Sequence, residues 1–291
     1  MRLYQLSVRP NSRMSRLPDD EVTGDVDVLG RSRRAVILIH GFANSPKRAD
    51  RSYAALAAGL EDCLPPCPER FATYFRFYWP GDHPLPVFNQ ATFSTRVPSA
   101  QLSGAVLAET LAARLPPDAE VILVAHSLGC RVALSALRWL RRKAGGKGPR
   151  VGAVFLLAAA VPVRDCHGQG DFAGRLSAER YQTMYSHRDM VLALAFPPGQ
   201  LGFDWLAEAV GRRGAPERDR WDLRFSTGLG HSGYWRSPGV AQAVGRAISP
   251  LARYLIPELP LATDPPTPED EGPAEHELPT RAIRSRPGPC P

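Results

Sequence analysis

Short apolar runs alternate with helical patterns between Arg34 and about Leu255. The runs are unbroken by polar residues, which is typical of strands buried on both faces of a sheet. Between them, apolar residues recur at helical spacing. The predicted strands are, in chain order, AVILIHG, RFATYFRFYWPG, AEVILVAHS, VGAVFLLAAAV, YQTMYS and DLRFSTG. Strands that alternate with helices in this way predict an α/β fold, with a mostly parallel sheet covered by helices on both faces.

The predicted helices follow from the same pattern. One helix is expected over the segment that contains Tyr53, Leu56 and Leu60. A second is expected over residues 99–115, after a loop that contains Pro84, Pro86 and Pro98. A third runs from Leu128 to about Lys143, and a last one from about Pro238 to Leu255.

The two ends of the chain differ in composition from the region between them. Residues 1–33 are polar and charged, and they predict an N-terminal extension that is partly ordered at best, with one edge strand over Val22, Val26 and Val28. Residues 34–256 form the predicted domain. Residues 257–291 are rich in Pro and Glu and nearly free of aromatics, so they bury too little apolar surface to offset their ordering entropy. We expect them to be a disordered tail.

Composition and charge narrow the function classes. The 36 Lys+Arg residues outnumber the 29 Asp+Glu residues, for a net charge of +7, and arginine supplies nearly all of the positive charge. No nucleic-acid-binding motif accompanies the arginines, so coding bias is the simpler explanation and no nucleic-acid partner is expected. The longest apolar run, Val151 to Val161, is shorter than the roughly 20 residues of a membrane span. The first residues lack the apolar core of a secretory signal, so a cytoplasmic protein is expected.

The strongest chemical signal is Ser127, which ends the third predicted strand. Ligands of such sheets bind beyond the carboxyl ends of the strands. A serine on a sharp strand-to-helix turn exposes its Oγ there and needs small residues two positions before and after it. Ala125 and Gly129 meet this requirement, and no other serine in the chain has Gly or Ala at both positions. The alternative role for Ser127 is to cap the helix that follows it.

A serine nucleophile needs a histidine base and an acid that orients it, in the chain order serine, acid, histidine. His231 follows the sixth predicted strand within GLGHSGYW, a glycine-rich loop, and is the predicted base. Asp189 follows the fifth strand and is the predicted acid. Asp165, after the fourth strand, is the alternative acid, and with it His187 would also satisfy the chain order.

The predicted oxyanion hole has two backbone donors. One is the N–H of Leu128, directly after the nucleophile. The other is the N–H of Phe42 in the loop after the first strand, where Gly41 lets the backbone turn inward. Asn44 or Ser45 could instead cap the helix that follows this loop.

With these elements in order, the chain resembles the α/β-hydrolase superfamily across most of residues 35–255. More narrowly, it resembles a bacterial esterase/lipase-like family of unknown function. The likeness rests on HGFANS, FRFYWPG, AHSLGCRVALSALR, YSHRDMVLAL and GHSGYW. It implies the triad Ser127, Asp189 and His231 and hydrolysis of an ester-type bond. Ala125 departs from the first glycine of the family's serine motif, a substitution small enough for the turn.

The substrate is left open by the resemblance. Only about twenty residues separate the fourth strand from the fifth, so the fold has a minimal cap. Aromatic residues in two segments could wall a pocket, namely Trp79, Phe88, Phe93, Trp205 and Trp235. We therefore expect a shallow site for a small-molecule ester with a small or medium acyl group.

Three functions fit these residues. The first is a serine carboxylesterase. The second is an acyltransferase or thioesterase with the same nucleophile, and the third is a non-catalytic binding or scaffold protein on a hydrolase fold. The proposed chemistry needs no cofactor and no metal. The sequence leaves the oligomeric state open.

Overall fold

Eight strands form a single sheet in the computed structural model of this protein. The structure describes residues 1–10, 17–82, 93–143, 148–168, 170–173, 178–196, 207–215 and 223–249. The strands are β1 (Leu3–Ser7), β2 (Thr23–Gly24), β3 (Arg34–Ile39), β4 (Thr73–Tyr78), β5 (Glu120–His126), β6 (Arg150–Leu157), β7 (Tyr181–Tyr185) and β8 (Leu223–Ser226). Their spatial order is β2-β1-β4-β3-β5-β6-β7-β8.

The sheet is mostly parallel, as the sequence predicts. Only the two-residue strand β2 pairs antiparallel, with β1, and every other neighbouring pair is parallel. Strands β3, β5 and β6 are almost entirely buried, because helices cover both of their faces. The predicted α/β class is confirmed.

The helices lie on two faces because the chain reverses its direction across the sheet. Helices are found at α1 (Val26–Gly30), α2 (Pro46–Cys63), α3 (Phe93–Arg114), α4 (Gly129–Lys143), α5 (Met190–Leu194), α6 (Val210–Arg213) and α7 (Pro238–Ile248). From β3 the chain crosses through α2 to β4 on one side, and then returns through α3 to β5 on the other side of β3. Right-handed crossovers therefore put α2 and α3 on opposite faces. Helix α7 packs beside α2, and α4 packs beside α3.

The strand order places a switch between β3 and β5. Residues of the two strands pair in register up to Ile39 and Ala125, so the loops that follow them leave the sheet side by side. In a parallel sheet a crevice opens where two neighbouring connections run to opposite faces. The loop after β3 and the turn after β5 are therefore next to each other at the carboxyl edge.

Part of the N-terminal segment belongs to the sheet. Strand β1, within the residues expected to form an extension, pairs with β4 over its whole length. The edge strand expected over Val22, Val26 and Val28 is instead β2 followed by helix α1. Val26 and Leu29 are three positions apart, a spacing that suits a helix, and Leu29 is fully buried. The expected tail at residues 257–291 lies outside the described residues.

Helix α3 begins earlier than the sequence predicts. It starts at Phe93 and contains Pro98, although a proline inside a helix removes one hydrogen bond and costs about 3 kcal/mol. Phe93, Ser99 and Ala100 are all buried, so tertiary packing holds this part of the helix. The fourth predicted strand also ends early, at Leu157, because Ala158 turns the chain out of the sheet with a φ of 46°.

Contact between α3 and α4 depends on a glycine. A Cβ at Gly104 of α3 would lie 2.4 Å from the Val132 carbonyl oxygen and 2.8 Å from the Ser135 Cβ of α4. These distances are shorter than real contacts, so the two helices pack more closely than any other residue at position 104 would allow. Since α4 begins two residues after Ser127, this packing supports the turn at the carboxyl end of β5.

We expect Gly104→Ala to lower the free energy of unfolding by about 1–3 kcal/mol, because the added methyl group forces the helices apart. Urea unfolding followed by circular dichroism measures the loss. Gly30→Ala is the matched control, since a Cβ there would lie 3.4 Å from its nearest neighbour, the Arg114 carbonyl oxygen. Equal stabilities of the two variants would contradict the packing argument.

Candidate active site

Ser127 occupies a sharp turn between β5 and α4. Its φ is 53°, in the left-handed region that costs a residue with a side chain about 1–2 kcal/mol. Backbone hydrogen bonds hold the turn: the Ser127 N–H donates to the Leu157 carbonyl at 2.9 Å, and the Ser127 carbonyl accepts from Ala160 at 3.1 Å and from Cys130 at 3.0 Å. The strain is therefore balanced by contacts with the loop after β6 and with the first turn of α4.

Small residues surround Ser127 because the neighbouring backbone approaches closely. A Cβ on Gly129 would lie 2.3 Å from the His40 carbonyl oxygen, and a Cβ on Gly41 would lie 2.8 Å from the Ser127 Cβ. The side of the turn that carries the serine is therefore in contact with the loop after β3. Ala125, fully buried, lies between β3 and β6 in the sheet.

The structure brings Ser127, His231 and Asp189 together. The distance between Ser127 Oγ and His231 Nε2 is 3.0 Å, and the distance between His231 Nδ1 and Asp189 Oδ2 is 2.8 Å. A carboxylate only accepts hydrogen bonds, so Nδ1 carries the proton and Nε2 accepts from the serine hydroxyl. The arrangement is that of a nucleophile, a base and an acid that orients the base.

Asp189 is completely buried, and its carboxylate accepts hydrogen bonds from two donors. Its Oδ2 accepts from His231, and its Oδ1 accepts from the Leu192 backbone N–H at 3.0 Å, as the N-cap of α5. A buried carboxylate is tolerated only where its oxygens are hydrogen-bonded. The same residue thus begins a helix and holds the imidazole in one orientation.

His231 reaches Ser127 from a strand three positions away in the sheet. Strand β8 lies beyond β6 and β7, so the loop after β8 must return across both. Thr227 fastens the start of this loop, since its N–H and its hydroxyl both donate to the Tyr185 carbonyl, at 2.8 and 3.1 Å. Gly228 then turns with a φ of 65°.

A hydrogen bond from His126 holds the loop at His231. Its Nε2 donates to the His231 carbonyl at 2.7 Å, and the two imidazole rings lie 4.9 Å apart. Sequence reasoning assigned no role to this residue. The signal was a second histidine directly before the serine, after the apolar run from Val121 to Ala125.

Two buried histidines beside the site are neutral. Burial, with a smaller contribution from the nearby His231, lowers the pKa of His126 to about 3. Burial also lowers the pKa of His40 to about 4. His40 Nδ1 donates to the Gly41 carbonyl at 2.9 Å, while the Trp79 indole donates to the His40 carbonyl at 2.8 Å. His40 therefore connects the loop after β3 to the end of β4.

Asp165, the alternative acid, lies elsewhere. Its Oδ2 forms an ion pair with the Arg131 guanidinium at 3.2 Å, and the Arg131 side chain is only 4% exposed. Among the described residues, the carboxylate that bonds His231 is that of Asp189. His187, the alternative base, contacts the ring of Tyr185. The second acid and base pair is thus not assembled around Ser127.

The two backbone groups expected to form the oxyanion hole are free. Neither the Phe42 N–H nor the Leu128 N–H donates a hydrogen bond to an acceptor among the described residues. The Asn44 side-chain amide holds the loop by donating to the Gly41 and Phe42 carbonyls at 3.2 and 3.1 Å. Both N–H groups therefore lack an acceptor in the described part of the chain, and Leu128 is fully buried behind Ser127.

The aromatic residues expected to form pocket walls lie in different parts of the structure. Trp79 is fully buried and stacks on His40, so it is part of the core rather than a wall. Phe93 is in edge-to-face contact with Phe42 at 5.5 Å and with Phe196 at 5.9 Å, beside the loop after β3. Trp235 is 5% exposed and packs against Tyr53 and His126. Phe88 and Trp205 lie outside the described residues.

Three further features of the described residues bear on a metal site, a membrane span and an inserted cap. In the described part of the chain, no three His, Cys, Asp or Glu side chains converge in the way that a metal ion requires. The same residues include no helix of the length and apolarity that crossing a bilayer demands. Between β6 and β7 the described residues form one 3-10 turn, Val163–Cys166.

A comparison with known protein families finds a match. A family model described as alpha/beta hydrolase of unknown function (DUF900) matches residues 25–197. The matched segment includes β3, Ser127 and Asp189, and it ends before His231. No curated protein matches the chain.

The neutral histidines make stability depend on pH. As the pH falls from 6.5 to about 4, the unfolded chain takes up a proton on each imidazole and the folded protein does not. We expect the free energy of unfolding to fall by up to about 1.4 kcal/mol per pH unit for each of His40 and His126. Urea unfolding at a series of pH values measures this slope.

In that experiment, His40→Gln and His126→Gln should each reduce the slope by about one proton. His167→Gln, which removes an exposed imidazole, is the control and should leave the slope unchanged. A slope that is identical in all the variants would show that these two imidazoles do not resist protonation in the folded protein.

Proposed function

We propose that this chain, which belongs to a family of alpha/beta hydrolases of unknown function, is a serine hydrolase that cleaves carboxylic esters through an acyl-enzyme. The observation that carries the proposal is the pair of hydrogen bonds that joins Ser127 Oγ to His231 and His231 to the buried Asp189. A hydroxyl at this distance from an unprotonated imidazole nitrogen can transfer its proton as it attacks an acyl carbon.

The first half-reaction forms the acyl-enzyme. The Ser127 Oγ attacks the ester carbonyl carbon while its proton passes to His231 Nε2. The carbonyl oxygen gains a negative charge, which the Phe42 and Leu128 N–H groups stabilise. When the tetrahedral intermediate collapses, the bond to the alcohol oxygen breaks and that oxygen takes the proton from Nε2.

The second half-reaction releases the acid. A water molecule gives a proton to His231 Nε2 as its oxygen attacks the acyl carbon. The same two N–H groups stabilise the second oxyanion. Collapse then breaks the bond to Ser127 Oγ, which recovers its proton from the imidazole.

Two side chains position His231 during both steps. The Asp189 carboxylate accepts from Nδ1 and stabilises the imidazolium that forms in each half-reaction. His126 is a positioning residue, because it bonds the His231 backbone and not the reacting atoms. Its neutral state keeps a second positive charge away from that imidazolium.

The acyl group that this site favours is small or medium, with an apolar carbon chain next to the carbonyl. The support is a cluster of three aromatic rings, those of Phe42, Phe93 and Phe196. Phe42 also carries one of the two backbone N–H groups of the proposed oxyanion hole. An acyl chain bound with its carbonyl oxygen at Phe42 would lie close to these rings, where burial of each methylene contributes about 0.8 kcal/mol.

We expect a fluorophosphonate probe to label wild-type protein at neutral pH, because the activated hydroxyl attacks the phosphorus. Ser127→Ala should abolish both labelling and the hydrolysis of 4-nitrophenyl butyrate. Ser135→Ala, which removes a buried hydroxyl from α4, is the matched control and should be labelled normally. Mass spectrometry and absorbance are the readouts.

Failure of this experiment has two forms. Without labelling of the wild type, the binding or scaffold function is favoured. Labelling without hydrolysis of any 4-nitrophenyl ester favours an acyltransferase or thioesterase, in which the acyl-enzyme needs a different partner.

The choice of acid is tested by two matched variants. We expect Asp189→Asn to lower kcat by about 10³-fold or more, because an amide leaves the imidazole in the wrong tautomer. Asp165→Asn should keep kcat within about threefold of wild type, since Asp165 pairs with Arg131. Steady-state kinetics at a temperature where both variants are folded measures the difference, and the reverse ranking would reject Asp189 as the acid.

A further inference from the structure

A cavity of about 240 Å³ lies beside the loops that carry His231 and Phe42. We propose that this cavity, here called the arginine pocket, binds an anionic group, a carboxylate or a phosphate, of the ester that Ser127 cleaves. The inference rests on the proposed function, because it names the substrate class of that site. The pocket is lined by Asn44, Arg48, Arg51, Ser52, Ser232, Trp235 and Arg236.

The position of the arginine pocket ties it to the reaction. Ser232 directly follows His231, whose Nε2 is hydrogen-bonded to Ser127 Oγ. Asn44 belongs to the loop after β3, and its amide holds the Phe42 carbonyl. Residues of the two loops that meet at the nucleophile therefore also line the pocket, and the proposal is that one small ester spans both places.

Positive charge in the arginine pocket is unbalanced. No Asp or Glu among the described residues forms an ion pair with Arg48, Arg51 or Arg236. By contrast, Arg76, which also contacts helix α2, is paired with Asp50 at 2.9 Å. Three guanidinium groups around one small cavity repel one another until an anion enters.

Two carboxylates of helix α2, Asp50 and Asp62, are not part of the lining of the arginine pocket. Asp50 bonds both Arg76 and the hydroxyl of Tyr78. Asp62 lines a neighbouring cavity of about 310 Å³, on the other side of Trp235 and Arg236. Neither carboxylate lines the arginine pocket, although Arg236 also lines the cavity that contains Asp62.

The donors in the arginine pocket suit an anion with several oxygens. Guanidinium groups donate paired hydrogen bonds to carboxylate and phosphate oxygens, and the hydroxyls of Ser52 and Ser232 are further donors. The amino end of α2, which begins at Pro46, adds its partial positive charge from the same side. Trp235, largely buried, forms an apolar part of the wall.

The test compares matched neutral and charged esters on the full chain. Mono-4-nitrophenyl glutarate and 4-nitrophenyl valerate differ by a terminal carboxylate in the acyl half. 4-Acetoxybenzoate and phenyl acetate differ by a carboxylate in the alcohol half. The measured quantity is the ratio of kcat/KM for the charged ester to that for the neutral ester, after subtraction of the rate with Ser127→Ala.

We expect the triple variant Arg48→Gln, Arg51→Gln, Arg236→Gln to lower this ratio about tenfold for at least one pair, since it removes the charge-assisted hydrogen bonds. The control is the triple variant Lys47→Gln, Arg70→Gln, Arg114→Gln. It removes the same number of exposed charges from outside the pocket and should leave both ratios unchanged. Unchanged ratios in the arginine-pocket variant, or equal losses in the control, would overturn the proposal.

A second arm separates phosphate from carboxylate. Inorganic phosphate and acetate are compared as competitive inhibitors of mono-4-nitrophenyl glutarate hydrolysis, since this ester carries the carboxylate that would occupy the pocket, and the better inhibitor identifies the preferred group. The arginine-pocket variant should weaken that inhibition about tenfold.

The two proposals fail in different ways. If the protein hydrolyses neutral esters but shows no effect of the arginine variants, only the arginine pocket is rejected. If no ester is cleaved and the probe does not label Ser127, the esterase proposal is rejected. Calorimetric titration of the protein with inorganic phosphate then still tests the pocket, because loss of binding in the arginine variant does not need turnover.

Discussion

The backbone turn at Ser127 is the constraint on which the rest of the site depends. A φ of 53° at a residue with a side chain is unfavourable, and it persists only where neighbouring groups hold it. The loop after β6 supplies hydrogen bonds, and the loop after β3 fits against the turn because Gly41 and Gly129 have no Cβ. Three adjacent strands therefore converge on one residue, and a small change in any of them moves the hydroxyl.

His231, the proposed base, belongs to a loop that begins three strands away from Ser127. Partly buried hydrogen bonds hold that loop next to the serine. The loop after β8 crosses two strands before His231 reaches the serine, and it is held at Thr227 and by His126. His126 can serve because burial keeps its imidazole neutral, with one nitrogen as a donor. Asp189 holds the ring from the other side. Each of these bonds is at least partly buried, and a fixed geometry needs little reorganisation during a reaction.

The arginines of this chain differ in whether a carboxylate is paired with them. At the amino end of β5, the buried Glu120 is paired with Arg34 and Arg150, the first residues of β3 and β6. These ion pairs join three neighbouring strands at the amino edge of the sheet. Arg131, behind the nucleophile, is buried against Asp165. The guanidinium groups of the arginine pocket lack such partners among the described residues. The number of arginines in the sequence does not show which of them are paired.

The alternation of apolar runs and helical spacing was enough to determine the α/β class and the central strands, because both patterns are local. The family match confirms the superfamily expected from the motifs. Local patterns failed where packing outweighs propensity, at the start of α3 and at α1. From the sequence, Ser127, Asp189 and His231 could be named by strand ends and chain order, but Asp165 met the same rule. Only the tertiary structure separates the two acids, because strand order decides which carboxylate lies next to the imidazole and which lies next to Arg131. The role of His126 and the arginine pocket also arise from tertiary contacts, since they join residues that are far apart along the chain.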